Sequence, residues 1–282
     1  MKRFFMAVLK ILVVFFALIG ATFVAVYFAM QYGMFNVRGS IAERNAFFFG
    51  SGSMLPAQPC TDSASKTCAW NQTPEWAVIA GGLTKDASVI AKVSQQTGVS
   101  QRMIAAVVVP EQTRFFTSNR EVFKRYFEPL KILGSLSQFS LGVSGIKEET
   151  AIQTENQALD TTSPFYPGAG MSNLFSYNGT TTPHDDALFN RLTDPKDHYY
   201  SYLYTALYIK EVEAQWQKAG FDISQKPEAV VTLFNIGFQG SHPNANPQAA
   251  GAIIDTGGQQ YVYGKLGADF YYSNELTDIF PK

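Results

Sequence analysis

Glu111 follows an unbroken apolar run, Val107-Val108-Val109-Pro110, which sets a carboxyl against surroundings that resist charge. Burial of this kind disfavours the ionised form and raises the pKa, so the acid keeps a proton near neutral pH and can give it to a leaving oxygen. The alternative is that Glu111 is merely the first solvated residue after a core helix stops. Two further stretches carry residue types suited to a binding groove. Ser140-Leu141-Gly142-Val143-Ser144-Gly145-Ile146-Lys147 is a glycine turn opening a helix; its glycines permit close approach of a ligand, or only the tight packing of a turn. Thr232-Leu233-Phe234-Asn235-Ile236-Gly237 puts an aromatic and an amide at a helix end. Asn235 there either contacts a ligand amide or caps its helix before Gly237. Arg114 binds a ligand carboxylate or is plain surface.

Other reactive residues are sparse. The histidines, His184, His198 and His242, are far apart. His184-Asp185-Asp186 after Pro183 reads as a capped helix start rather than a metal site, so neither a metal nor another cofactor is expected. Glu148 and Glu149 are adjacent on a helix and point in different directions, as first-turn carboxylates favoured by the helix dipole. Cys60 and Cys68 are the only cysteines, and C-x-x-C spacing is absent. In an exported domain such a pair reads as a short-loop disulfide.

The elements that must hold these residues are mostly helices. Thr84 as N-cap and Gly98 as C′ stop bound one helix; Ser100 caps the next, whose body is apolar around most of its circumference and therefore central to a core. Pro110 is expected to end that helix near Glu111. Residues 120–133 show helical spacing interrupted by Pro129, and a helix opens near Gly145. Residues 160–198 are irregular, with one short helix at 184–192. A long helix closes at Gly220, another runs from Pro227 to Gly237, and a last helical piece spans 259–272. No repeat or hairpin is evident.

Lys+Arg total 22 against Asp+Glu 23, a net charge of -1, which argues against a nucleic-acid partner because phosphate contacts need clustered cations. After Lys2, Arg3 and Lys10 no charge appears until Arg38. The run Ile11–Met30 matches the roughly 20 apolar residues that span a bilayer. Its length and poor cleavage sites favour an uncleaved anchor over a signal peptide, and the basic residues before it keep the N-terminus cytoplasmic. The expected organisation is a tip and transmembrane anchor at 1–34, a linker at 35–83 and one mainly α domain at 84–282.

The order of the three motifs resembles lytic transglycosylases and goose-type lysozymes, which carry a Glu at the end of a buried helix, a Gly-Leu-Met-Gln-Ile turn, then Ala-Tyr-Asn-Ala-Gly. Here Glu111, Gly142-Val143-Ser144-Gly145-Ile146 and Phe234-Asn235-Ile236-Gly237 stand in those places. Gln112 stands where the family has Ser, Gly145 where it has Gln, and Phe234 where it has Tyr. The resemblance implies a lysozyme-like helical domain in the bacterial periplasm, anchored in the inner membrane and acting on peptidoglycan. Glu111 would be the single catalytic acid and base. Gln112, Arg114, Ser140, Gly142, Val143, Gly145, Ile146, Phe234, Asn235 and Gly237 would bind the glycan. A rival expectation is a non-catalytic module of the same fold that binds glycan or an envelope protein.

Overall fold

The computed structural model describes residues 2–31, 68–117, 140–177 and 184–282. The helical stretch expected at 120–133, and residues 35–67 of the expected linker, lie outside them. The protein is mainly α-helical. Helix α1 (Lys2–Gln31) is followed by α2 (Pro74–Lys85), α3 (Ala87–Thr97) and α4 (Gln101–Thr117). A short antiparallel hairpin, β1 (Ser140–Leu141) and β2 (Ile146–Lys147), opens into α5 (Glu148–Leu159). Then come α6 (His184–Thr193), α7 (Tyr199–Lys218) and α8 (Pro227–Ile236). A second hairpin, β3 (Ile253–Thr256) with β4 (Gln259–Val262), leads into α9 (Tyr263–Tyr272). Neither hairpin was expected, and β4 with α9 replaces the last helical piece at 259–272. Two- and four-residue strands are too short for alternation to stand out.

The folded part starts before residue 84. Pro74 is not a linker residue but the first residue of α2, where its missing N–H costs nothing, and Thr73 caps that helix by accepting from the Trp76 amide at 3.2 Å. Trp70 and Trp76 are buried and meet edge to face with centroids 4.8 Å apart. Thr84 lies within α2, its hydroxyl donating back to the Ala80 carbonyl, rather than capping α3. Cys68 is buried and disulfide-bonded; Cys60, the chain's other cysteine, lies outside the described residues. The Cys68 amide donates to the Gly257 carbonyl at the tip of the β3–β4 hairpin. A side chain at Gly257 would lie 2.2 Å from the Cys68 carbonyl oxygen, so the hairpin tip is pressed against this segment.

Helix α4 is the axis of the core, packed by α2, α3, α7, α8, α9 and β3. Ser100 starts it by accepting from the Met103 amide. From Met103 to Val109 no side chain is more than 1% exposed. Contrary to the sequence expectation, Pro110 does not end the helix, which continues to Thr117. An internal proline costs about 3 kcal/mol through its lost hydrogen bond and its crowding of the carbonyl four residues back. Burying the flanking Ile and Val side chains, each contributing about 1.5–3 kcal/mol, outweighs that. The carbonyl in question, Ala106, faces Gly267 of α9, where a Cβ would come within 2.6 Å.

One cation locks α9 to α4. Arg102 is buried, and its guanidinium donates to the carbonyls of Phe270, Tyr271, Ser273, Glu275 and Phe280, at 2.6–3.1 Å. The last turn of α9 and the segment after it thus find donors that a helix C-terminus otherwise lacks. On α7, burial pushes the Glu213 carboxyl up to about 7 from its ordinary 4.5. A raised carboxyl pKa stabilises the fold below the unfolded value and loses that contribution as pH climbs from 4.5 through about 7. Glu213→Gln is therefore expected to match the wild type at pH 4 and to exceed it at pH 8 by about 1 kcal/mol, discounted for solvent screening. Thermal melts at the two pH values check this.

Among the described residues no helix is long and apolar enough to cross a membrane. The side chains of α1 are described only between Phe5 and Ala25, with gaps. Its apolar residues there are exposed, among them Ile11 at 67% and Phe16 at 65%.

Candidate active site

Glu111 lies one residue past the fully buried stretch of α4, and there three separately encoded segments meet. A cavity of about 500 Å³ is lined by Glu111 and Arg114 of α4, Gly145, Ile146 and Lys147 of the first hairpin, and Thr150 of α5. Phe234, Asn235, Ile236 and Gly237 close one side, with Ala252, Ile253 and Tyr263 opposite in sequence. Its volume suits a small-molecule or sugar site. Glu111 is the one carboxylate among these lining residues; Glu148 and Glu149 occupy the first turn of α5 outside it.

Both carboxylate oxygens of Glu111 are held. Arg114, one turn on, donates from Nη2 to Oε1 at 2.7 Å. The Tyr263 hydroxyl donates to Oε2 at 3.3 Å, with the Val107 carbonyl 3.5 Å away as a second acceptor. Tyr263 is fully buried, and that burial, reinforced by the charge of Glu111, holds its phenol well above the ordinary range. It therefore stays a donor at any pH the protein meets. The Glu111 side chain is 11% exposed and that of Arg114 16%, so this ion pair is shielded but reachable from the cavity.

Gly145 is pressed against the acid. Its φ is +65°, and a Cβ there would lie 2.3 Å from Cγ and Oε1 of Glu111. Both the left-handed backbone and the contact exclude a side chain. Gly145→Ala is expected to displace the carboxylate and, because Ala is strained at positive φ, to lower stability by about 1–2 kcal/mol. For a reacting carboxylate an error of about 1 Å costs about 100-fold in rate, so any turnover that depends on Glu111 should fall by at least that factor, well beyond what the fall in melting temperature accounts for.

The structure divides the expected ligand-binding residues. Arg114, Gly145, Ile146, Phe234, Asn235 and Gly237 line the cavity. Gln112 does not: it is buried and its amide donates to the Val143 carbonyl, bracing the hairpin turn against α4. A helix residue next to Glu111 points about 100° away from it, which accounts for the miss. Val143 is fully buried in the core. Gly142 (φ +65°) faces away, where a Cβ would meet the Leu192 carbonyl at 2.2 Å and Ser201 at 2.5 Å. Ser140 pairs through its backbone with Lys147. Asn235 neither caps nor ends α8; the Gly237 amide, donating to Leu233, closes the helix. The Asn235 Oδ1 instead accepts from the Ala252 amide at 2.9 Å, fixing the entry to β3.

Tyr263, Lys147, Thr150 and Ile253 belong to the site but were not anticipated. Phe234 lacks the hydroxyl that the resemblance leads one to expect, and Tyr263 brings a phenol to the acid from α9. A sequence signal for it exists in Gly264 and Gly267. Glycine weakens a helix by about 1 kcal/mol, so two of them one turn apart mark a helix pressed against neighbours. Cβ atoms there would lie 2.0 Å from the Thr232 hydroxyl and 2.6 Å from the Ala106 carbonyl.

A second polar cluster lies off the cavity. Glu155 of α5 accepts from the hydroxyls of Tyr177 and Tyr204 and contacts His184 Nε2 at 2.6 Å. His184 opens α6, as expected. Its imidazole pKa is raised, first by the bond to Asp185 and further by Glu155. Comparison of the chain with protein-family models, curated proteins and solved structures finds no match.

Proposed function

We propose that the chain is a membrane-anchored, peptidoglycan-cleaving enzyme, a lytic transglycosylase acting between N-acetylmuramic acid and N-acetylglucosamine. The observation that carries this reading is the convergence of Glu111, Gly145-Ile146 and Phe234-Asn235-Gly237 on one cavity with a single carboxylate among its described lining residues. Most glycosidases need two carboxylates, but substrate-assisted ones need one. In that chemistry Glu111 protonates the glycosidic oxygen and the substrate's own N-acetyl group stabilises the developing cation. Glu111, now ionised, takes the proton of the C6 hydroxyl, whose oxygen closes a 1,6-anhydro ring. Tyr263 holds the carboxylate oriented between the two proton transfers. The anchor would be the stretch Ile11–Met30, which is supported by the sequence alone, through the absence of charge between Lys10 and Arg38. The domain would then work on the periplasmic face of the bacterial inner membrane, on glycan strands, alone or within an envelope complex.

Incubating the protein with purified sacculi and weighing the products by mass spectrometry tests the reading. Anhydro-muropeptides are the expected product; hydrated reducing ends would replace the lyase with a lysozyme. A second reading, a module of this fold that binds glycan without cutting it, is favoured by one observation. Arg114 Nη2 lies 2.7 Å from Oε1 of Glu111, an ion pair on the one group that the reaction would need as an acid. Sedimentation with sacculi without release of any fragment would establish that alternative.

A further inference from the structure

The cavity around Glu111 holds more hydrogen-bond donors than the protein itself uses. Lys147, at the end of β2, lines it together with Thr150 of α5 and Asn235 of α8. All three residues are half-buried. Among the described residues the Lys147 ammonium has no ion pair or hydrogen bond, although Glu148 and Glu149 follow it in sequence. The Thr150 hydroxyl is equally unengaged among them. Asn235 commits its Oδ1 to the Ala252 amide at 2.9 Å, which leaves its amide nitrogen as a donor to the cavity. Arg114 differs from Lys147 in already contacting Glu111. Two cations, Arg114 and Lys147, stand against the one carboxylate, Glu111, among the described lining residues, an excess of one positive charge. On the same cavity Ile236 and Ile253 stay 42% and 59% exposed. They offer apolar surface to the C–H face of a sugar ring, while the donors meet its oxygens.

Resting on the glycan-cleaving reading, we propose that Lys147 is the specificity-determining residue of this cleft: its ammonium binds a carboxylate carried on the glycan strand, so that acidic strands are taken in preference to neutral ones. An ammonium drawn partly out of water without an anion is costly, and a charge-assisted hydrogen bond to a carboxylate offsets that cost. The ammonium is a compact charge on a flexible stem, suited to following a carboxylate that swings on its own linkage. Gly145 is pressed against Glu111, and Lys147 is two residues further on, about 7 Å along an extended chain. That reach, about one sugar ring, places the acidic substituent close to the sugar being cut. A peptidoglycan strand has two sources of such a carboxylate. One is the lactyl group of muramic acid where the stem peptide has been removed, and the other is the stem peptide where it remains. Chitin-type strands carry neither.

The test reads binding and cleavage separately. The full chain in detergent is titrated calorimetrically, in the cold, with three tetrasaccharides whose intactness is checked by mass spectrometry. They are chitotetraose, a muramyl tetrasaccharide stripped of peptide, and the same tetrasaccharide with its stem peptides. The wild type should bind at least one acidic tetrasaccharide about 10-fold more tightly than chitotetraose, the order of one charge-assisted hydrogen bond. Lys147→Met should erase that preference while holding the affinity for chitotetraose, and Lys147→Arg, which keeps the charge, should retain the preference. A preference for the peptide-free strand assigns the lactyl carboxylate, and one confined to the peptide-bearing strand assigns the stem; both uphold the proposal. It is overturned by equal affinity of the wild type for all three sugars, by binding of none, or by a preference that survives in Lys147→Met. A fall in affinity for all three alike in Lys147→Met also overturns it, since that marks a structural role. Incubation with sacculi reads the enzyme independently. A Lys147-dependent preference without release of fragments upholds Lys147 and sinks the transglycosylase. Release of fragments by a protein that lacks the preference sinks the role of Lys147 and leaves the enzyme standing.

Discussion

Replacing Glu111 by Gln is expected to abolish release of glycan fragments from sacculi, lowering the rate by about 10⁴-fold. General acid–base catalysis contributes roughly 10²–10⁴-fold for one positioned group, and in the proposed reaction the same carboxyl would serve both as acid and as base, so the loss should reach the top of that range. Gln keeps the shape, the acceptor for Tyr263 and the fit against Gly145. What it lacks is the exchangeable proton. It also lacks the charge paired with Arg114, and because that pair is shielded, with side chains 11% and 16% exposed, the loss costs more than the roughly 0–1 kcal/mol of a surface pair, so the melting temperature should fall by several degrees. Timed product analysis alongside a melt separates the two effects. Equal cleavage by Glu111→Gln and wild type would remove Glu111 from the chemistry.

The second large effect falls on stability. Arg102→Met should lower the unfolding free energy by about 3–5 kcal/mol, because three buried and two half-buried carbonyls lose the guanidinium together. For a domain of roughly 200 residues this corresponds to a fall of about 10 °C in melting temperature. Met matches the length and apolar stem of Arg, so the loss reports the hydrogen bonds rather than a cavity. Arg102→Lys keeps a charge but only three donors in a compact head, and should recover part of the deficit. Differential scanning calorimetry on the three proteins checks the order wild type, Lys, Met.

How much of this was legible in the sequence depended on whether the signal was local. Helix ends closed by glycine, at Gly98, Gly220 and Gly237, were readable because a left-handed residue after the last turn is a property of the chain itself. Ser100 and Pro227 were readable for the same reason. Pro110 misled, since its local penalty is outweighed by burial that only the packed core supplies. Pro74 misled in the opposite sense, taken for a linker residue when it starts a helix. In the site, the motif residues Glu111, Gly145 and Phe234–Gly237 could be placed because each stands in a recognisable short stretch. Gln112 and Gly142 belong to the same stretches but turn the other way, and direction around a helix or turn is not spelled by adjacency. Tyr263 was illegible as a site residue: it reaches Glu111 across 152 positions, through a helix contact announced only by two small residues.

The join between Cys68 and the hairpin tip has a consequence for where the protein can operate. Ala252 and Ile253, at the base of that hairpin, form part of the wall facing Glu111, and its far end rests on Cys68 through the Gly257 carbonyl. A covalent tether on Cys68 therefore steadies a wall of the groove from the opposite end of the hairpin. The same chain kept under reducing conditions would lose the tether before it lost the helices, and the groove would slacken while the core held. Shaping of the cleft is in this way tied to oxidation of Cys68, so that the reduced chain would be folded in its centre yet poorly shaped at its cleft.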